Sequence, residues 1–83
     1  MFFTYILWSD SLGKFYVGHT GDLDARVQYH NSSNVAFTKR GVPWVLVYSE
    51  SYDSKGVAMK REAEIKRWKS AVMIRQLIAD QHR

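Results

Sequence analysis

Residues 2–8 read Phe-Phe-Thr-Tyr-Ile-Leu-Trp, an apolar and aromatic run with no breaker, which predicts a β-strand. Its two alternating faces are both largely apolar, with Phe3, Tyr5 and Leu7 on one and Ile6 and Trp8 on the other, as expected of a central strand covered on both sides. Ser9-Asp10-Ser11-Leu12-Gly13 is turn chemistry, so residues 14–20 form the return strand of a hairpin, ended by Gly18 and Gly21. Asp22 can cap a helix running through Asn31, with Asp24 in the first turn, where the helix dipole favours an anion. Leu23 and Val27 mark its core face. Asn31-Ser32-Ser33-Asn34 stops this helix, residues 35–42 form a basic loop, and Pro43 leads into a third strand over residues 44–48 that can extend to Tyr52. Asp53 or Ser54 caps a second helix to Trp68, and Ser70 caps a last one with Ile74, Leu77 and Ile78 as its apolar stripe. The order strand, strand, helix, strand, helix, helix predicts an α+β fold, a three-stranded and mostly antiparallel sheet flanked by three helices, with residues 1–83 as a single domain.

A chain of 83 residues buries a modest core, and the absence of cysteine excludes a disulfide framework, a thiol nucleophile and a thiolate metal site. The apolar residues 1–8 are too few for a signal segment or a membrane span, so no membrane role and a cytoplasmic location are expected. Charge changes the picture more. The net charge is +4, and residues 55–69 alone carry that surplus: Lys55, Lys60, Arg61, Lys66, Arg67 and Lys69 face only Glu62 and Glu64. Such a stripe is a candidate phosphate-binding surface, to which Lys39 and Arg40 of the basic loop add; its ordinary alternative is a solvated helix face.

The informative side chains are polar ones on faces that ought to be apolar. On a wheel of the second helix, advancing 100° per residue, the arc that holds Ala58, Ile65, Met59 and Ala63 also holds Glu62, whereas Glu64 falls on the opposite side beside Val57, Arg61 and Trp68. A carboxylate on a buried stripe is costly unless paired or bound to metal, and Lys66, four residues on, is the simplest partner. On the first helix, Arg26 and His30 flank the Leu23–Val27 stripe. Arginine offers a rigid fork of donors for a phosphate, and histidine can move a proton near neutral pH; a snorkelling Arg and a satisfied surface His are the plainer readings. Tyr5 and Tyr16 stand on the two hairpin strands, where Tyr is also simply a good strand residue. Tyr, Arg, His and Glu from two strands and two helices nevertheless suit phosphodiester hydrolysis.

Spacing strengthens this. Phe3-Thr4-Tyr5, followed after ten residues by Tyr16-Val17-Gly18, resembles the pair of motifs that names the GIY-YIG nuclease superfamily. Phe3 and Thr4 stand where the family has Gly and Ile. Residues 23–30 resemble the family's helix with an Arg and, four residues later, a His. Arg61-Glu62-Ala63-Glu64-Ile65-Lys66 resembles its metal-binding Glu segment, with Glu62 at the matching position. Phe37-Thr38-Lys39-Arg40 and the strand after Pro43 resemble the small stand-alone bacterial branch, to which the N-terminal domain of the bacterial excision-repair nuclease is a more distant relative. The resemblance implies a three-stranded antiparallel sheet with helices and a single Mg²⁺ or Mn²⁺ on Glu62. It implies Tyr16, ahead of Tyr5, as general base or water-orienting group, Arg26 on the scissile phosphate, His30 in support, and His19 where some relatives carry an assisting Lys. No Asn follows Asn34, although many relatives order their site with one downstream of the Glu, and a weak or partner-dependent activity is expected accordingly.

The leading expectation is a metal-dependent nuclease, acting on DNA rather than RNA and choosing substrates by structure rather than base sequence, because no separate base-reading element is present and a partner protein would supply tighter targeting. The alternatives are a non-catalytic nucleic-acid-binding module of the same fold and a protein-interaction domain using an exposed Trp68 and the basic helix.

Overall fold

β1 (Phe2–Ser9) pairs antiparallel with both of its neighbours, so the sheet order is β2-β1-β3 and the first strand is central, with β2 (Lys14–Thr20) and β3 (Trp44–Tyr52) as edges. The computed structural model describes residues 1–32 and 36–81. The hairpin closes as the turn residues require. The Gly13 N–H donates to the Ser9 carbonyl at 2.8 Å, and Gly13 holds φ at +62°, a backbone conformation that residues with a side chain rarely adopt. Against β3 the register shifts between Ile6 and Leu7, and the third strand runs the full length to Tyr52.

Three helices complete the α+β fold: α1 (Leu23–Asn31), α2 (Lys55–Trp68) and α3 (Ala71–Gln81). Asp22 Oδ1 accepts the Ala25 N–H at 3.0 Å, and Ser54, rather than Asp53, caps α2 by accepting the Val57 N–H at 3.2 Å. Ser70 accepts the Met73 N–H at 3.2 Å. Residues 39–41 of the basic loop form a single 3₁₀ turn. The predicted helix stop at Ser33 and Asn34 and the first residue of the basic loop, Val35, lie outside the described residues. Among those described, no helix is long and apolar enough to cross a membrane.

Because β1 alternates apolar side chains to both sides, the sheet has a core on each face. On one face Tyr5, Leu7 and Trp44 are buried, with Tyr16, Leu23, Val27 and Val42 against them, so this side belongs to α1. On the other Ile6, Val17, Tyr48, Ile65 and Ile74 form the cluster, flanked by Phe15, Trp68, Leu77 and Ile78, and belong to α2 and α3. Thr4, a departure from the family's first motif, is fully buried and donates its hydroxyl to the Ala58 carbonyl at 2.8 Å. A buried hydroxyl is tolerable only with such a partner, and this bond fixes α2 on β1 one turn before Glu62.

The buried side of α2 is rotated from the wheel's expectation. Ala58 and Ile65 are buried and Arg61, Glu62 and Trp68 half-buried, whereas Met59 and Ala63 are exposed. Trp68 packs into the α2–α3 core with the Arg61 guanidinium 5.5 Å from its ring centre, so the exposed Trp68 of the protein-interaction reading does not exist. Arg61 is drawn inward with it. Its Nε and Nη2 donate to the two oxygens of Glu50 at 2.9 and 3.1 Å, and Nη1 to Glu64. Glu50 also accepts the hydroxyls of Tyr48 and Tyr52, its neighbours two residues away on the same face of β3. Burial disfavours the Glu50 charge, but the Arg61 fork and the two phenols outweigh it and hold its pKa below the usual carboxylate value. Burial, and then the same carboxylate, push Tyr48 up to about 12. This cluster is a structural clasp between β3 and α2, and it removes Arg61 from the outward basic stripe.

Candidate functional site

Tyr5 sits in the central strand with its ring almost wholly buried, directly across from Gly18 of β2. A β-carbon at position 18 would lie 2.5 Å from the Tyr5 hydroxyl and 2.7 Å from its ring. The glycine of the second motif is therefore what lets the phenol lie flat across β2 and reach His30, whose Nε2 is 3.1 Å from the hydroxyl. Gly18→Ala should cost about 1–3 kcal/mol of stability by overpacking, because the buried Tyr5 has no room to retreat. Denaturant unfolding measures this, and an unchanged midpoint would contradict the argument.

His30 is not the surface histidine of the plainer reading. It is 2 % exposed, with Nδ1 3.2 Å from the Thr38 hydroxyl. Burial, and then the Arg26 charge, lower its pKa, so near neutral pH the imidazole is uncharged and bonds as donor at one nitrogen and acceptor at the other. Thr38 is itself buried, and its carbonyl takes the Trp44 indole N–H at 2.7 Å. Asn31 clamps the same corner: Nδ2 donates to the Trp44 carbonyl at 2.9 Å and Oδ1 accepts the Trp44 N–H at 2.6 Å. Neither role was visible in the sequence. Thr38 stands in an aperiodic loop, and Asn31 reads as an ordinary helix stop.

Tyr16 is half-buried on the same sheet face, its ring centre 6.4 Å from that of Tyr5 and 4.7 Å from that of His30. Arg26, one helical turn before His30, lines a hollow of about 470 Å³ with Thr20, Asp22, Ala25 and Tyr29, and its guanidinium lies 5.2 Å from the Tyr29 ring centre. Among the described residues it forms no ion pair.

Glu62 and His19 approach from the other face. His19 pairs with Thr4 across the hairpin, and its Nδ1 is 2.6 Å from Glu62 Oε1, while Lys66 Nζ donates to Oε2 at 2.6 Å. Burial opposes the Glu62 charge, but the bonds from Lys66 and His19 prevail and keep it below the ordinary carboxylate pKa, ionised at neutral pH. The two faces meet electrostatically at one hydroxyl. Burial raises the pKa of Tyr5 most, the Tyr16 phenol raises it further, Arg26 lowers it and Glu62 raises it, leaving it well above the ordinary phenol value. A phenol so held donates a hydrogen bond and does not serve as a base near neutral pH.

Among the described residues no group of three or more His, Cys, Asp or Glu side chains could cage a metal ion. A lone ionised carboxylate with lone pairs left on both oxygens fits a hydrated Mg²⁺ or Mn²⁺, which keeps several waters and takes one or two carboxylates plus substrate phosphate; it does not fit a zinc site. Of the predicted phosphate-binding cations, Lys39, Arg40, Lys60, Arg67 and Lys69 are exposed. Lys66 is exposed but bonded to Glu62, and Arg61 is held by Glu50.

The profile of the family described as the GIY-YIG catalytic domain matches residues 1–76. The UPF0213 protein of Staphylococcus aureus strain Mu3 is 46 % identical over 65 residues, covering 77 % of this chain and 78 % of that one, and its counterpart from strain N315 matches equally. The solution NMR structure of a UPF0213 protein from Bacillus halodurans superposes with a TM-score of 0.59 at 33 % identity, covering 95 % of this chain and 84 % of that chain.

Proposed function

We propose that this chain, which belongs to the GIY-YIG catalytic domain family, is a metal-dependent endonuclease that hydrolyses a phosphodiester bond, in DNA, and selects its substrate by structure rather than by base sequence. The observation that carries the reading is the convergence at the Tyr5 hydroxyl: His30 is hydrogen-bonded to it, and Tyr16, Arg26 and Glu62 all act on its proton affinity.

In this reading Tyr16, the less buried phenol, orients the attacking water or, as the phenolate, takes its proton. Tyr5 donates a hydrogen bond that keeps the water or Tyr16 in line, while neutral His30 holds Tyr5 and relays a proton. Arg26 forks onto the scissile phosphate and stabilises the charge that develops on it. Glu62, aligned by His19, would hold one Mg²⁺ or Mn²⁺, which when bound polarises the phosphate and leaving oxygen. The exposed cations position backbone without reading bases. The reading also takes residues 1–83 as one domain, working in the cytoplasm, with a partner protein for tighter targeting.

The test is a panel of labelled duplex, flap, branched and single-stranded substrates with Mg²⁺ or Mn²⁺. Metal-dependent cleavage of at least one is expected, and no cleavage of any under either metal sinks the proposal. One observation favours the alternative of a binding module without turnover: both Glu62 oxygens already hold side-chain partners, His19 on one and Lys66 on the other. In that case nucleic acid binds without any cut. Binding itself should be electrostatic. With three to five phosphates neutralised, log K should fall with log salt at a slope of about −3 to −5, and salt-independent binding would remove the nucleic-acid reading.

A further inference from the structure

Phe37 is the most exposed large apolar side chain of the described residues, at 83 %. A single exposed Phe on a mobile loop would need no explanation, but this one is held. The next residue, Thr38, is buried, with its hydroxyl at His30 and its carbonyl on the Trp44 indole. It also accepts the Gly41 N–H at 3.0 Å as the 3₁₀ turn begins. The anchored Thr38 leaves its neighbour facing solvent at low entropic cost on binding.

The surroundings state what it could bind. Phe37 meets the Tyr16 ring edge-on, centres 6.2 Å apart. It lines a hollow of about 310 Å³ at the free edge of β2 with Tyr16, Phe15, Ile65, Lys66 and Lys69. One wall is apolar and aromatic, the other bears two ammonium groups. Lys39 and Arg40 follow Phe37 in the chain and are exposed. A flat π-face beside cations, next to the phenol assigned to the attacking water, is the composition of a site for a nucleobase with its flanking phosphates. A protein partner of ordinary composition would leave Lys69, which forms no ion pair among the described residues, unmatched.

We infer that Phe37 is a base-stacking residue that seats one unpaired nucleobase next to the scissile phosphate, with Lys66 and Lys69 on the adjoining phosphates. This rests on the nuclease reading and deepens it, because it supplies the structural selectivity. A base inside a duplex cannot present its face to Phe37, whereas a base at a flap, a junction or a single strand can.

The experiment measures binding in EDTA, so that nothing is cut, using single-stranded oligonucleotides carrying 2-aminopurine and a fully paired duplex of the same length. Wild type should quench 2-aminopurine and prefer the single strand. Phe37→Ala should weaken single-strand binding roughly 5- to 100-fold, the loss expected for one stacked base, with the duplex affinity changed less than about twofold and the circular dichroism unaltered. Phe37→Trp should restore the preference. Equal binding of the single strand by wild type and Phe37→Ala, or an equal loss on both substrates, overturns the base platform while leaving nucleic-acid binding intact. Failure of wild type to bind any oligonucleotide overturns the nuclease reading and the platform with it.

Discussion

Glu62→Gln is expected to abolish metal-dependent cleavage, while Glu64→Gln leaves it nearly unchanged. The two carboxylates lie two residues apart on α2 and differ in everything that matters to a cation. The Glu62 side chain is 17 % exposed, ionised, oriented by His19 and within electrostatic reach of the Tyr5 hydroxyl. The Glu64 side chain is 51 % exposed and turned toward Arg61 on the other side of the helix. Glutamine keeps the shape of Glu62 and its bond-accepting carbonyl but not its charge, so the fold should hold; His19 and Lys66 lose an anion, and Lys66 is exposed enough to return to water. Calorimetry provides a second readout, since Mn²⁺ affinity should fall for Glu62→Gln and not for Glu64→Gln. An exposed pair such as Arg61–Glu64 contributes about 0–1 kcal/mol, and the principal partner of Arg61 is Glu50, so Glu64→Gln should leave stability near wild type. Greater damage to cleavage from Glu64→Gln than from Glu62→Gln would reverse the metal assignment.

The second large effect is at Arg26. Arg26→Ala should lower turnover on the order of a hundredfold or more, the loss typical of a donor that acts on transition-state charge. It should do so without unfolding the protein, because the guanidinium makes no ion pair among the described residues and rests only against the half-exposed Tyr29 ring. The thermal midpoint is the control. Arg26→Lys should recover only part of the rate, since an ammonium retains the charge but not the planar fork. If Arg26→Ala fails to fold at room temperature, the side chain is a structural prop and its role on the phosphate is lost. A substrate-affinity change with unchanged turnover would likewise move Arg26 from the reacting phosphate to general binding.

Much of this protein is determined locally, and the sequence by itself was enough for it. Apolar residues on both faces of residues 2–8 identified a central strand, and Asp22, Asp53 or Ser54, and Ser70 announced three helix starts. These signals depend on a residue and its neighbours within one turn or one pleat. The spacing of Tyr5, Tyr16, Arg26, His30 and Glu62 was equally legible, as was the Glu62–Lys66 bond, because it spans a single helical turn.

What the tertiary structure decided concerns partners from distant elements. The wheel of α2 put Met59 and Ala63 inside and left Arg61 and Trp68 wet, since residue hydrophobicity was its only guide. The sheet instead offers Glu50 with two phenols eleven residues before Arg61, and α3 covers Trp68, so the helix turns that side inward. The plainer reading of His30 as a surface residue fails because nothing in residues 23–31 announces Thr38 or the Tyr5 hydroxyl. Likewise Phe37 read as part of a basic loop, and only the burial of Thr38 beside it shows a presented aromatic. A charge or polar group can be buried only where its complement also arrives. The position of that complement is a property of the fold, and no window of sequence around the residue contains it.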